Sequence, residues 1–227
     1  MRPPSVSAII PAWNEARTIA AAVGAARGIA DEVIVVDAGS PDGTAEIAAS
    51  SGAVIVRAAR GRGPQLHAGG QRARGDVLLF LHADARLAQG ARAAIGDALS
   101  DDGVVGGNFL LEFEPRTFAA RVFSAANDLR RRWFRIYYGD SAIFVRRSVY
   151  ASLGGFRAMP IFEDYDFVRR LERFGRTKYV REVVVVASAR RFEKAPMWTL
   201  LVWTMLQILF SLGVPAQRLA RFYGAIR

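Results

Sequence analysis

What most constrains the fold of this chain is a rhythm in its first 85 residues, where short aliphatic and β-branched runs alternate with helix-like stretches. Ser5–Ile10 is followed by the alanine-rich PAWNEARTIAAAVGAA. DEVIVVD leads into GSPDGTAEIAAS, AVIVR into GPQLHAGGQRA, and a fourth run, DVLLFL, closes the series. Strands that are apolar at consecutive positions are buried on both faces, and the helical stretches between them supply the covering layers. Repeated βαβ units with a parallel sheet are therefore expected, an α/β fold. Ligands of such sheets sit beyond the carboxyl ends of the strands. Each apolar run ends there in polar residues: PAWNE after the first, Asp37 at the second, RAARGRG after the third and HAD after the fourth. Four loops would share one rim.

The rhythm changes after residue 103. GVVGGNFLLEFEP reads as a short strand, TFAARVFSAANDLRRRWFRIYY as a helix with aromatics and a basic face, and AIFVRR as another strand. SVYASLGGF predicts a short helix and turn, EDYDFVRRLERFG a helix opening on carboxylates, and KYVREVVVVASARRF an outer strand. No repeat, low-complexity tract or linker interrupts the chain before about residue 194. Residues 1–194 are thus expected to form one domain and 195–227 an appendage.

Composition narrows the chemistry. A hydrophobic content of 52% over 227 residues excludes a disordered chain. The absence of cysteine excludes disulfides, thiolate zinc sites and a cysteine nucleophile. A net charge of +10 favours polyanionic partners: nucleic acid, phosphate-bearing small molecules or an anionic membrane face. The apolar run before Pro11 is too short for a signal-peptide core, so a cytoplasmic location is expected.

Neither G-x-x-x-x-G-K-[ST] nor a G-x-G-x-x-G after the first strand is present, which weighs against kinases, ATPases and dinucleotide dehydrogenases. In DAGSPDGT, Gly39 and Gly43 permit a tight turn and close backbone approach, and Asp37 is placed to accept hydrogen bonds from a ribose or base. A plain βα turn with Thr44 as N-cap explains the glycines equally well but leaves Asp37 without a purpose. Arg60 and Arg62 read as residues of a flexible loop able to face a diphosphate, or as two solvated charges. His82 and Asp84, two residues apart at a strand end, suit a hard divalent cation that bridges protein to diphosphate; a capping aspartate and a half-buried histidine are the plainer reading. The other histidine, His67, reads as surface or as satisfied core. Three acids at Glu163, Asp164 and Asp166 exceed what a helix cap requires.

Taken in order, SAIIPAWNEARTI, VIVVDAGSPDGTAEIA, GDVLLFLHADARL and FEDYDFVRRL resemble the family 2 glycosyltransferases of GT-A fold, compact bacterial type, over roughly residues 5–192. The resemblance implies sugar transfer from a nucleoside-diphosphate sugar to an acceptor hydroxyl with inversion, hexosyl transfer in type. It assigns Pro11, Ala12, Trp13, Asn14, Glu15 and Asp37 to the nucleotide, with Gly39, Arg60 and Arg62 nearby. Asp84 becomes a ligand of Mg²⁺ or Mn²⁺, and His82 replaces the first acid of the D-x-D pattern as a softer one. The helix acid Asp164 becomes the base, flanked by Glu163. Asp140, with Trp133, Tyr137 and Tyr138, lies where the family builds its acceptor pocket. A histidine that some relatives carry late in the domain is missing, and Arg190 or Arg191 stands in its neighbourhood to neutralise the leaving diphosphate. Two other readings compete: a sugar nucleotidyltransferase, which would want a glycine-rich arginine loop where PAWNE stands, and a basic nucleic-acid-binding module. Ordered motifs outweigh charge, so no nucleic-acid partner is expected. The acceptor, lipid-linked or a small metabolite, is left open.

Residues 197–214 carry no charge over about eighteen positions, the lower edge of a membrane-spanning length. At 100° per residue Thr199, Thr204, Gln207 and Ser211 fall within an arc of roughly 140°, so the helix is one-sided and lies on something. The catalytic domain, a twin subunit or an anionic membrane surface each fit, the last helped by Trp198, Trp203, Phe210 and the basic PAQRLARFYGAIR, so that 197–226 is a candidate peripheral contact.

Overall fold

The computed structural model describes residues 3–189 and 196–224. The first half is the expected βαβ series. Strands β1 (Val6–Ala12), β2 (Glu32–Asp37), β3 (Val54–Arg57) and β4 (Val77–Phe80) alternate with helices α1 (Ile19–Arg27), α2 (Thr44–Ser50) and α3 (Arg62–Arg72). A two-residue strand β5 (Arg86–Leu87), helix α4 (Ala91–Ala98), strand β6 (Val104–Glu114) and helix α5 (Phe118–Phe134) follow. Then come a 3₁₀ turn at Gly139–Ser141, β7 (Phe144–Arg146), α6 (Arg147–Ser152), α7 (Glu163–Phe174), β8 (Arg176–Ser188), α8 (Pro196–Ser211) and α9 (Ala216–Gly224).

All eight strands join one sheet in the order β3-β2-β1-β4-β7-β6-β8-β5. β3, β2, β1 and β4 are parallel; β7 runs antiparallel between β4 and β6, and β6 pairs in parallel with β8. The strand expected at the outer edge, β8, lies one place in, because the short β5 covers its far side.

Burial follows the period of two. From β1, β2 and β4, Ala8, Ile10, Val33, Val35 and Leu79 enter a core shared with α1 and α4, while Ile9, Ile34, Val36, Leu78 and Phe80 enter a second core under α3, α6 and α7. Both faces are buried, which is why these strands carry no polar alternation. The close approach of α3 to the sheet depends on Gly69: a methyl there would stand 2.4 Å from Ile9 Cγ2 and 2.8 Å from Val36 Cγ2.

α8 and α9 dock on the domain. Leu206, Val202 and Leu219 form a small core with Ile161, Phe162, Leu209, Phe210 and Val214. Among the described residues no helix is long and apolar enough to cross a membrane. The one-sidedness of α8 is real but faces inward with its polar side, for Thr199 and Gln207 are buried whereas Trp198, Leu201, Met205 and Ile208 are exposed.

Two glycines test this packing. A methyl on Gly107 would stand 2.1 Å from the Lys178 carbonyl oxygen, a backbone atom of β8 that cannot move aside, whereas one on Gly96 in α4 meets nothing within 4 Å. Gly107→Ala should cost about 3 kcal/mol and Gly96→Ala should stabilise by about 0.5–1 kcal/mol, read from urea midpoints of the two variants.

Candidate active site

The carboxyl ends of the parallel strands form the rim that the sequence foretold, and the loops there are tied to one another. In register, Ala12 lies beside Asp37, and Asp37 beside Arg57. The Asp37 side chain is fully buried and accepts from its own loop: Gly39 N at 2.9 Å and Ser40 N at 3.1 Å, with Arg57 Nη1 at 3.4 Å. This carboxylate therefore shapes the turn. The loop after β1 is fastened to that turn by three backbone N–H groups. Asn14 N donates to Ser40 Oγ at 3.0 Å, Glu15 N to Thr44 Oγ1 at 2.9 Å and Ala16 N to Asp42 Oδ2 at 3.1 Å. Asp42 has its carboxyl below the usual range, chiefly because the Thr44 hydroxyl donates to it. Gly43, at φ +86°, takes the N-cap position in place of Thr44.

Over this base, Arg60 stacks on Trp13, its guanidinium carbon 4.4 Å from the ring centroid. Arg62 is not a loop residue: it opens α3 and turns toward a different set of partners. Its Nη2 lies 2.9 Å from Asp164 Oδ2 and its Nε 2.7 Å from Glu163 Oε1. Asp164 Oδ2 also accepts from Gly139 N at 2.9 Å, and its Oδ1 from Tyr165 N at 2.7 Å. A methyl on Gly139 would stand 3.1 Å from His82 Nε2, 3.3 Å from Asp164 Oδ2 and 3.6 Å from Arg62 Nη2, so these polar atoms gather around a residue without a side chain. The structure thus brings Arg62, His82, Glu163 and Asp164 together from the ends of α3, β4 and α7.

Both carboxylates are buried, Glu163 at 4% and Asp164 at 5% exposure. Burial raises the Glu163 carboxyl above its ordinary range; Arg62 opposes the rise and the Asp164 charge adds to it. Tyr138 is likewise raised, first by burial, then by the Asp164 and Asp140 charges against Arg130, which places Asp140 in the same field. Asp140 and Tyr138, with Asn108, Arg131 and Tyr137, line a small depression beside the cluster.

Backbone strain gathers on this rim. Asn14, Ala142 and Phe162 have φ of +56°, +53° and +64°, a region costly for residues with a Cβ. Phe162 immediately precedes Glu163, and its ring stacks on Phe210 of α8 at 5.0 Å and 27°. Support for the carboxylate turn therefore comes from the C-terminal helices.

Other expected residues stand differently. Asp84 is exposed and has no hydrogen-bond or ion-pair partner among the described residues. No group of three His, Asp or Glu able to hold a metal occurs among the described residues. The donor set of one imidazole and one carboxylate fits a divalent cation that takes its remaining ligands from diphosphate oxygens and water. Arg190 and Arg191 lie outside the described residues. His67, expected as surface or as satisfied core, is half-buried, and its buried Nδ1 has no hydrogen-bond partner among the described residues. Trp133 is exposed at 72% and Tyr137 is core.

Sequence reasoning missed Gln65, whose Nε2 donates to Ala12 O at 2.9 Å and Val36 O at 2.7 Å and so bolts α3 to the ends of β1 and β2. It also missed the Gly139 N–H. Backbone donors leave no trace in residue type; a buried glutamine between glycines in GPQLHAGG was the only signal for Gln65.

A sheet with a parallel half, a second mixed half and a carboxylate cluster at the strand ends between them defines an α/β fold with its candidate site on that rim. The family model for glycosyl transferase family 2 matches residues 7–159, about two thirds of the chain. This chain belongs to that family and has the GT-A fold. It is similar to the solved mannosyl-3-phosphoglycerate synthase of Rubrobacter xylanophilus, at 20% identity and TM-score 0.60, covering 92% of this chain and 75% of that one. It is also similar to the glucosyl-3-phosphoglycerate synthase of Mycobacterium tuberculosis solved with Mn²⁺, uridine-diphosphate-glucose and phosphoglyceric acid, at 20% identity and TM-score 0.62, covering 93% and 81%. A third structure, of a mycobacterial protein, matches at 22% identity and TM-score 0.57 over 82% of this chain, which spans 65% of that protein's length. No curated protein matches the chain.

Removing the shared guanidinium should be costly and pH-dependent. With Arg62→Met, burial and the Asp164 charge act on Glu163 unopposed, so its folded-state pKa rises further above the unfolded value. A group raised in this way contributes stability below its unfolded pKa that is lost as pH rises through the folded one. Urea unfolding should show Arg62→Met less stable by about 3 kcal/mol at pH 8, with the deficit shrinking toward pH 5.

Proposed function

We propose that this protein transfers a hexosyl group from a nucleoside-diphosphate sugar to an acceptor hydroxyl with inversion, with Asp164 as the base. The observation that carries the reading is the fixed position of Asp164: a buried carboxylate oriented by Gly139 N–H and its own helix terminus, beside His82 and Arg62, on the rim where the Trp13–Arg60 pair and the Asp37 turn lie. An inverting transfer needs such a carboxylate opposite the departing diphosphate, to take the acceptor proton as the oxygen attacks the anomeric carbon.

In this reading the nucleotide lies along residues 11–15, Asp37 and Gly39, with the base or ribose against Trp13 and Arg60. The diphosphate faces Arg62, and the family resemblance assigns Arg191 to it as well. Arg62 already serves both carboxylates through Nε and Nη2, so an arriving diphosphate would compete for the guanidinium, draw it from Asp164 and release the lone pair that accepts the proton. His82 and Asp84 would hold a divalent cation, Mg²⁺ or Mn²⁺, and a bound cation supplies charge neutralisation to the leaving diphosphate. What supports the metal is that a solved relative holds Mn²⁺ with uridine-diphosphate-glucose. The acceptor would enter beside Asp140 and Glu163. Phosphoglyceric acid in that relative is a precedent for a small anionic acceptor.

Thermal shifts with UDP-, GDP- and dTDP-sugars, with and without Mn²⁺, should single out one donor base. Asp164→Asn should retain that donor's affinity while kcat falls by about a hundred- to ten-thousand-fold; unchanged turnover would remove the assignment. If activity persists under thorough chelation yet collapses in Arg191→Ala, cationic side chains carry the role given to the metal.

A further inference from the structure

Helix α8 is turned opposite to an ordinary surface helix. Its polar arc is spent on the domain: Arg130 Nη2 donates to Thr204 Oγ1 at 2.9 Å, the Tyr138 hydroxyl donates to Gln207 Oε1, and Tyr165 Oη and Ser211 Oγ lie 3.0 Å apart. Val202 and Leu206 are buried against the domain, but a second set of its apolar residues faces solvent. Trp198, Leu201, Met205 and Ile208, at 62%, 61%, 51% and 53% exposure, recur every three or four residues and form one continuous stripe.

An apolar stripe of this length on a monomer marks an interaction surface. Among the described residues, two observations argue against spanning a bilayer. Sixteen residues make a helix about 24 Å long, short of a hydrocarbon core of about 30 Å. The opposite face is also committed to hydrogen bonds with the domain. The stripe can only lie flat. Charge selects what it lies on. From residue 194 to the C-terminus the sequence contains no Asp or Glu, and Arg218 and Arg221 are exposed on α9, which packs against α8 through Leu219. A second copy laid on this face would bring like charges together, on chains that each carry +10. An anionic surface suits both the exposed stripe and the exposed arginines of the adjoining helix.

We propose that the outer face of α8, with the arginines of α9, docks this protein flat on an anionic bilayer surface, the stripe entering the headgroup boundary as an interfacial helix does. The proposal does not depend on the sugar-transfer reading, since vesicle binding requires neither donor nor acceptor.

The test is co-sedimentation of the full chain with vesicles of phosphatidylcholine alone, or of phosphatidylcholine with about one third phosphatidylglycerol. Binding is expected to the second and not the first, falling at least about tenfold near 0.5 M NaCl. Leu201→Ser with Ile208→Ser should abolish it, and Arg218→Glu with Arg221→Glu should weaken it about 30-fold or more. These side chains are exposed, so each pair of substitutions should leave circular dichroism and the thermal midpoint as in the parent. Failure of the folded parent protein to bind anionic vesicles overturns the proposal, as does equal binding by both variants. A dimer in sedimentation velocity that Leu201→Glu dissociates would overturn it in favour of a second copy.

Discussion

Two carboxylates buried side by side repel one another and lose their hydration, and a cation between them offsets both costs while both stay charged. Arg62 is that cation. It projects from the first residue of α3, an element of the parallel half, and its two partners open α7, an element of the second half, 101 and 102 positions away. One guanidinium therefore joins the two halves of the sheet where their chemistry meets. Around it the other supports arrange themselves: Gln65 fixes α3 to the strand ends, Gly139 leaves room and donates its N–H, and Phe162 accepts a strained backbone so that α7 can begin where it does.

The same contact sets the character of the resting site. A carboxylate engaged by a guanidinium and a backbone N–H is well oriented but occupied. Its availability is then coupled to whatever else draws on Arg62, and a diphosphate is the natural competitor because a guanidinium fork matches phosphate and carboxylate oxygens alike. Charge in this protein is thus not only a surface property. Of its many arginines, a few are committed to sets of interior partners: Arg131 to Asn108 and Glu172, Arg170 to Asp166 and the carbonyls of Leu153 and Gly155.

The parallel half was legible because every strand there is buried on both faces and so writes an unbroken apolar run. Its rim was legible because polar residues following such runs have few reasons to be there. What the sequence hid is tertiary. β5 has two residues, too few for any periodicity, and its pairing displaced β8 from the edge. α4 carries a helical spacing in Ala91, Ala94, Ile95 and Ala98, but alanine signals burial weakly. Arg62 looked like a loop charge because its partners lie a hundred residues on. For α8, periodicity revealed a polar arc but not its direction; the partners that turn it inward, Arg130, Tyr138 and Tyr165, belong to segments that sequence alone does not bring near.

That inward turn changes what counts as the core of the enzyme. Tyr138 and Tyr165 find their hydroxyl partners on α8, and Phe162 leans on Phe210 just before the carboxylate pair. A chain trimmed at residue 194 would not be a cleaner version of the same catalyst: it would leave two tyrosines without their mates and a strained turn without its backstop. The two C-terminal helices thus belong to the scaffold of the pocket, since the residues around its carboxylates rest on them.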